Sequence, residues 1–273
     1  MAGNPKLLYV TDLHYPAKAR VYRDEDIYIT SQLAADFDIA VCHPLAAENL
    51  VDAFDIVVFR NTGPVLHYRD AYASFVRHAL QSETTVYNTL TGKADMVGKQ
   101  YLVELSRDGH PVIPTIDDRD EFARLPDADS YVVKPKLGSD SIGMEFVMKA
   151  DLDNMVLDDM LIQPRIDFQH EVSFYFIDHD YHYAMSARPG DRWNLEPFEA
   201  SEADLAFAGR FIEWNDIDHG IQRVDACRTA AGELLLMELE DLNPYLSLDL
   251  VDEPVRAKFI AALKTSLRTL LGI

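Results

Sequence analysis

The chain has 273 residues, with 46 acidic and 25 basic side chains and a formal net charge of −21 at pH 7. A hydrophobic fraction of 48% is enough for a packed core and too high for a disordered acidic segment. Binding of nucleic acid through bulk charge is excluded, because neutralising phosphates needs a basic surface and the sequence pI is near 4.6.

Cysteine content and hydropathy restrict the setting further. Cys42 and Cys227 lie far apart in apolar runs, so they supply neither a disulfide framework nor a Cys-rich zinc site. The first residues lack the charged stretch, apolar run and small-residue cleavage site of a secretion signal. No run reaches the roughly 18 apolar residues that a membrane span requires. We therefore expect a soluble cytoplasmic protein without a membrane partner.

Apolar runs alternate with segments of helical spacing in the first third of the chain. Strands are predicted at Lys6 to Val10, Ile39 to Cys42, Asp55 to Phe59 and Thr84 to Tyr87. Helical spacing is found from Glu25 to Phe37 and from Tyr68 to Leu80. Strands that alternate with helices favour a parallel sheet covered on both faces. The pattern predicts a small α/β domain over residues 1–88.

After residue 88 the pattern changes to short strands and hairpins. One helix is predicted from Val97 to Ser106. Strands are predicted at Val112 to Thr115, Tyr131 to Lys136, Glu145 to Met148, Leu161 to Gln163, Val172 to Ile177, Tyr181 to Ala187, Ile221 to Cys227 and Glu233 to Leu239. Turn residues at 178–180 and 230–232 predict two antiparallel hairpins. The fold class is therefore α/β over residues 1–88, followed by α+β.

The last helix has clear ends. Asp252 or Glu253 can cap it, Pro254 fits its first turn, and Gly272 lies just past its end. One face is apolar and the other is basic, which is compatible with a membrane surface or with packing on a sheet. We favour packing on a sheet.

A predicted strand ends on Lys134 and runs into a loop rich in glycine and serine. The loop residues that suit a phosphate are Lys136, Gly138, Ser139, Ser141 and Gly143. Glycines allow close approach of the backbone, and successive N–H groups with serine hydroxyls can surround an anion. The spacing matches neither a Walker loop nor a dinucleotide-binding motif. A hairpin turn without a ligand is the alternative.

Charged residues alternate on two later strands. Arg223 and Asp225 point to one face of their strand, as do Glu238 and Glu240 on theirs. Carboxylates on one face of neighbouring strands repel each other unless a cation lies between them. Oxygen ligands of this kind suit Mg²⁺ bound together with substrate phosphates. Two solvated strand faces in an acidic protein are the alternative.

In their order along the chain, these motifs resemble the ATP-grasp superfamily, most closely its carboxylate-amine ligases of the D-alanine:D-alanine ligase and glutathione synthetase type. The resemblance covers roughly residues 88–250. It implies an N-terminal parallel-sheet domain over residues 1–88 and an ATP-grasp fold whose two subdomains are residues 89–165 and 166–273. ATP and Mg²⁺, or alternatively Mn²⁺, are the implied cofactors. The residues that it assigns to the nucleotide are Lys99, Lys134, Lys136, Gly138, Ser139, Ser141, Gly143, Gln163, Arg165, Glu171 and Arg188.

The same resemblance assigns the metal and the catalytic groups. Asp225 and Glu238 correspond to metal ligands, and either Glu240 or Asn243 completes the set, because the usual Glu-x-Asn is here Glu-x-Glu. Arg223, Lys134 and Ser141 are implied as catalytic residues, with the loop from Gly138 to Gly143 as a lid over the phosphates. Arg188 stands where many relatives have lysine.

The first domain supplies candidates for substrate binding. Arg60 and Asn61 follow the third predicted strand, at the end of a parallel sheet where ligands usually bind. Arg188 and Arg192 are further candidates, and Asp12, His14, Tyr15 and Tyr22 are weaker ones. For Arg60, pairing with one of the many acids of the chain is the alternative.

The resemblance implies a ligase that activates a carboxylate as an acylphosphate and joins it to an amine, with small-molecule substrates. An ATP-grasp kinase acting on a hydroxyl and a non-catalytic ATP-binding regulatory module remain as alternatives. Relatives often pair through the first domain, so a homodimer is left open.

Overall fold

The computed structural model describes residues 3–17, 20–61, 65–138, 141–191 and 194–273. Ser139 and Arg192, two of the predicted site residues, lie outside these ranges, and only the backbone of Asn61 is described. In the described part, no helix combines the length and the apolar character that crossing a membrane would need.

The described elements alternate at first and are mostly strands later. The strands are β1 (Lys6–Thr11), β2 (Pro16–Ala17), β3 (Arg20–Val21), β4 (Asp38–Cys42), β5 (Ile56–Asn61), β6 (Val86–Tyr87), β7 (Ser130–Pro135), β8 (Glu145–Met148), β9 (Met160–Pro164), β10 (Phe168–Ile177), β11 (Asp180–Ala187), β12 (Glu196–Phe198), β13 (Ile221–Thr229) and β14 (Leu234–Glu240). The helices are α1 (Tyr22–Leu33), α2 (Ala47–Leu50), α3 (Val65–Gln81), α4 (Tyr101–Arg107), α5 (Glu202–Asn215) and α6 (Glu253–Leu270).

The N-terminal sheet is parallel, as predicted, with the strand order β4-β1-β5-β6. Its central strand β1 is buried on both faces because its side chains alternate between two clusters of the core. Leu8 and Val10 pack in the cluster that contains Phe75 of α3. Leu7 and Tyr9 face the opposite cluster, with residues of α1 and α6.

A larger antiparallel sheet has the order β12-β11-β10-β13-β14 and contains both predicted hairpins. One of its faces packs through Phe174 on Phe207 and Phe211 of α5. Its other face places Tyr175 and Tyr183, whose rings stack at 4.4 Å, in the cluster of α1 and β1. The N-terminal sheet and this sheet therefore share one hydrophobic core.

Helix α5 was not among the elements predicted from the sequence. Its N-terminus carries a capping box, in which Ser201 Oγ accepts from the Asp204 N–H at 3.3 Å and Asp204 Oδ2 accepts from the Ser201 N–H at 3.0 Å. A polar residue followed three positions later by an acid is a local signal for a helix start. This signal was present in the sequence and was overlooked.

A small antiparallel sheet, β8-β7-β9, carries the glycine- and serine-rich loop between β7 and β8. The strand predicted from Val112 to Thr115 is wrong. That segment makes only isolated bridges, from Val112 to Leu236 and from the next residue, Ile116, to Ile162. The short segment makes one bridge to the large sheet and one to the small sheet, so its apolar residues are buried between the two sheets without forming a strand.

Candidate active site

The centre of the site is the pair of strands β13 and β14. In their antiparallel register Arg223 lies opposite Glu240, and Asp225 lies opposite Glu238. Directly opposed side chains of a strand pair lie on one face within contact distance. The pairing therefore brings one guanidinium and three carboxylates together near the open end of the hairpin, away from its turn.

Arg223 holds two of these carboxylates. Its Nε and Nη2 donate to Asp225 at 2.8 to 3.1 Å, and Nη2 also donates to Glu240 Oε1 at 2.5 Å. Nη1 donates to the Tyr245 carbonyl at 2.8 Å. Burial alone would lower the pKa of Arg223, but Asp225 and Glu240 raise it well above its ordinary value. The guanidinium is therefore a permanent, oriented positive charge.

Lys99 holds the third carboxylate. The residue is 4% exposed, and Nζ donates to Asp95 Oδ2 at 2.7 Å and to Glu238 Oε1. The Lys99 backbone N–H donates to the Lys136 carbonyl at 2.8 Å. This bond joins the start of α4 to the strand end that precedes the glycine- and serine-rich loop. The first predicted phosphate lysine therefore lies between the metal candidates and the loop.

The donor chemistry at β13 and β14 fits Mg²⁺, which prefers carboxylate oxygens. In this structure, however, the positive charge between the strands comes from Arg223 and Lys99. No three His, Cys, Asp or Glu side chains of the described residues are grouped as a metal site. Asp225 also accepts from Ser173 Oγ at 2.6 Å. A metal ion would therefore share Asp225 and Glu238 with Arg223 and Lys99.

Glu240 and Asn243, the two candidates for the last metal ligand, lie in different positions relative to Asp225. Glu240 lies on the face of Asp225, whereas Asn243 follows the end of β14 in a non-repetitive segment. Burial raises the pKa of Glu240 to about 7, while Arg223 acts in the opposite direction. The assignment of either residue to a metal stays a prediction.

Comparison with known proteins addresses the fold. No family model and no curated protein sequence matches the chain. Solved structures do match it over nearly its whole length. D-cycloserine synthetase DcsG is 21% identical with a TM-score of 0.71, and the match covers 96% of this chain and 99% of that chain.

Two further structures agree. ATP-grasp ligase PsnB, complexed with a phosphomimetic variant of its minimal precursor, Mg and ADP, is 16% identical with a TM-score of 0.64, covering 95% of this chain and 99% of PsnB. D-alanine–D-alanine ligase from Bacillus anthracis, complexed with ATP, is 14% identical with a TM-score of 0.63, covering 98% and 96%. This chain has the ATP-grasp fold. The predicted fold class, and the resemblance of the fold to ATP-grasp ligases, are confirmed.

Within the ATP-grasp fold, the loop after β7 has one glycine, Gly143, at a position where the backbone favours it. Gly143 has φ of 74°, and a Cβ atom there would lie 3.0 Å from Pro135 Cγ. Ser141 also has a positive φ, of 59°. Lys134 is half-buried on β7, opposite Leu161 of β9. Lys136 Nζ pairs with Asp117 at 2.8 Å.

The remaining nucleotide candidates are spread along β9, β10 and the end of β11. Gln163 is buried and donates to Thr115 Oγ1 at 2.8 Å, so its side chain is used inside the protein. Arg165 is exposed, with its guanidinium 5.5 Å from the ring centre of Phe146. Glu171 is half-buried between Ala187 and Cys227. Arg188 follows β11 and is exposed.

Arg60 is buried, and its contacts differ from those of a substrate clamp. Its residue exposure is 2%. Nη2 donates to Glu25 Oε1 at 2.6 Å, Nη1 donates to the Pro244 carbonyl at 2.5 Å, and Nε lies 3.7 Å from Asp26. Glu25 accepts in turn from the N–H groups of the segment after β14. This geometry favours the alternative that the sequence left open, an ion pair within the protein.

Two acids at the site were missed in the sequence, Asp95 and Asp117. Each pairs with a predicted phosphate lysine, Asp95 with Lys99 and Asp117 with Lys136. The four-residue spacing of Asp95 and Lys99 was a usable signal, because residues four apart often pair across a turn. Asp117 carried no such signal, since it reaches Lys136 only through the tertiary fold.

Proposed function

We propose that the protein is an ATP-dependent ligase that activates a carboxylate and joins it to an amine. The observation that carries this proposal is the arrangement of Lys99, Glu238, Asp225 and Arg223 on one face, beside the loop after β7. The ATP-grasp fold, shared with the ligases above, supports it. Carboxylates for a cation and fixed positive groups for phosphates are what phosphoryl transfer requires.

ATP would supply the phosphoryl group that turns a carboxylate into a good electrophile, and Mg²⁺ would neutralise charge on its phosphates. Asp225 and Glu238 would hold the metal ion. Lys99, Lys134 and Lys136 would bind phosphate oxygens, because lysine provides a compact charge with three donors. Ser141 and the loop from Gly138 to Gly143 would close over the phosphates and exclude water from a hydrolysable intermediate.

Arg223 would stabilise the oxyanion that forms when the amine attacks the activated carbonyl carbon. Its guanidinium is fixed by Asp225, Glu240 and the Tyr245 carbonyl. Fixed positive groups of this kind act without reorganisation during the reaction, and losing one typically costs about 10²- to 10³-fold in rate. The substrate contacts of Arg188, Asn61 and Arg192 stay predictions.

The proposal is tested by incubating the protein with ATP, Mg²⁺ and pairs of L- and D-amino acids, and measuring ADP and phosphate release together with amide product. We expect release that needs a carboxylate and an amine together. Lys134→Met and Glu238→Gln should each reduce it by at least about 10²-fold. Lys149→Met is the matched control, because Lys149 is half-exposed and pairs only with exposed Asp127 among the described residues.

Two results would contradict the ligase proposal. A product that keeps the phosphate on a hydroxyl would establish the kinase alternative. Full activity in both Lys134→Met and Glu238→Gln would remove the site assignment.

A further inference from the structure

A second polar cluster lies at the carboxyl edge of the N-terminal sheet. Asp12 directly follows β1, His43 directly follows the neighbouring β4, and Tyr68 lies in the first turns of α3, where the helix is kinked. Ligands of parallel sheets usually bind at this edge. None of these three residues takes part in the phosphate and metal chemistry proposed above.

Two hydrogen bonds of this cluster are donated to the Asp12 carboxylate. Tyr68 Oη donates to Asp12 Oδ2 at 2.5 Å, and the His14 N–H donates to Asp12 Oδ1 at 2.9 Å. Burial and the Asp12 carboxylate raise the pKa of Tyr68 to about 12. The phenol is therefore a donor at neutral pH.

His43 extends the same chain of donors. Its Nδ1 lies 3.2 Å from the Leu45 N–H, which donates to it. A neutral imidazole that accepts at Nδ1 carries its proton on Nε2, and Nε2 lies 3.2 Å from Tyr68 Oη. The proton order is therefore from His43 to Tyr68 to Asp12, and the carboxylate is the acceptor at its end.

Aromatic rings connect the cluster with Arg223. Tyr15, held near Asp12 by a backbone bond of 3.1 Å, has its ring centre 6.0 Å from that of Tyr22. The Tyr22 ring meets Tyr245 edge-on at 4.8 Å, and the Tyr245 carbonyl accepts from Arg223. One row of tyrosines therefore runs from the Asp12 cluster to the group proposed to stabilise the oxyanion.

The Asp12 carboxylate and the neighbouring tyrosine rings favour a positively charged ligand. A carboxylate accepts up to about four hydrogen bonds, and two donors to Asp12 are described here. A protonated amine supplies three N–H donors and is attracted to tyrosine faces. A substrate carboxylate would be repelled by Asp12, whereas Lys99 and Arg223 attract it.

We propose that Asp12, positioned by Tyr68 and His43, binds the ammonium group of the amine substrate and accepts the proton that makes it a nucleophile. The inference rests on the proposed ligase function and assigns the amine side of its site. The ammonium group loses one proton to Asp12, and the free amine forms a C–N bond with the acylphosphate carbon. The bond from that carbon to phosphate oxygen breaks, and the second amine proton leaves with the phosphate.

Hydroxylamine separates this role from carboxylate activation, because it is already unprotonated at pH 7 and converts an acylphosphate into a hydroxamate without a protein base. With ATP, Mg²⁺ and the amino acids tested for the proposed function, the wild-type protein should form a hydroxamate when hydroxylamine is present. It should form an amide when hydroxylamine is absent. In Asp12→Asn we expect amide formation to fall by at least about 10²-fold, the usual contribution of a general base. Hydroxamate formation should stay within about twofold of wild type.

Asp70→Asn is the matched control, because Asp70 is exposed on the same helix as Tyr68 and should leave both products unchanged. Tyr68→Phe keeps Asp12 and removes one donor, so it should raise the KM for the amine with unchanged hydroxamate formation. If Asp12→Asn does not fold, the KM of Tyr68→Phe for the amine tests the inference instead.

Equal loss of amide and hydroxamate in folded Asp12→Asn, or no loss of either, would overturn the inference. If the wild-type protein forms no hydroxamate and releases no ADP with any amino acid, the proposed function itself fails. That result is distinguishable from the two outcomes above, because both of them require an active wild-type protein.

Discussion

The clusters around Arg60 and around Arg223 contain the same kinds of side chain but differ in access to water. The side chains of Arg60, Glu25 and Asp26 are 1 to 3% exposed. Those of Arg223, Asp225 and Glu240 are 15 to 22% exposed. Both clusters join an arginine to two acids, so composition alone does not separate them.

The difference lies in what surrounds the charges. Around Arg60, the acids accept from Tyr9, Thr11 and backbone N–H groups, and the cluster links α1 to the segment after β14. Around Arg223, Lys99 pairs with Glu238, and its backbone N–H donates to the Lys136 carbonyl just before the loop after β7. A closed, internally bonded cluster holds the fold together, whereas a cluster open on one side can exchange partners with a ligand.

Replacing Arg60 should have the largest effect on stability. Arg60→Met leaves Glu25 and Asp26 without their cation in the core, where burial already raises the pKa of both acids. Removing one partner of a buried ion pair costs about 3–5 kcal/mol. Urea unfolding measures the loss of unfolding free energy, and we expect Arg223→Met to lose less of it than Arg60→Met. A loss for Arg60→Met no larger than for Arg223→Met would remove the contrast between the clusters.

Asp241, which follows Glu240 at the end of β14, should give the second-largest effect on stability. This effect depends on pH. It is fully buried, and burial raises its pKa to about 7. Between its ordinary pKa and about 7 the folded state holds a proton that the unfolded state has released. The contribution of Asp241 to stability therefore falls as pH rises through that window.

Asp241→Asn tests this sign. The carboxylate oxygens of Asp241 accept from the N–H groups of Ala94 and Met96, so the variant should lose about 1–3 kcal/mol at low pH. Urea unfolding from pH 4 to pH 7 should show the gap between wild type and variant narrowing. A gap that widens with pH would show that Asp241 is ionised in the folded state throughout.

Glu238→Gln should have the smallest effect on stability. The Glu238 side chain is 25% exposed, and Lys99 keeps Asp95 as a partner after the change. Partly solvated pairs contribute about 0–1 kcal/mol, so we expect a change in that range although turnover is lost. Loss of stability comparable with that of Arg60→Met would mean that the open cluster also holds the fold together.

Local patterns made part of the site predictable. The two hairpins and the positions of Asp225 and Glu238 follow from alternation on strands, and the antiparallel register places them opposite each other. The helix α5 was missed although Ser201 and Asp204 carried its start signal. The strand predicted at Val112 was wrong because apolar residues between two sheets are buried without belonging to either.

The sequence by itself determined the order of motifs that led to the ATP-grasp fold, and it predicted which residues bind phosphate and metal. Only the tertiary structure decided that Arg60 is an internal ion pair and that Lys99 lies against Glu238, 139 positions away. It also brought Asp12, His43 and Tyr68 together. Alternation along a strand is local and readable, whereas burial and partner choice depend on chain segments that are distant in sequence.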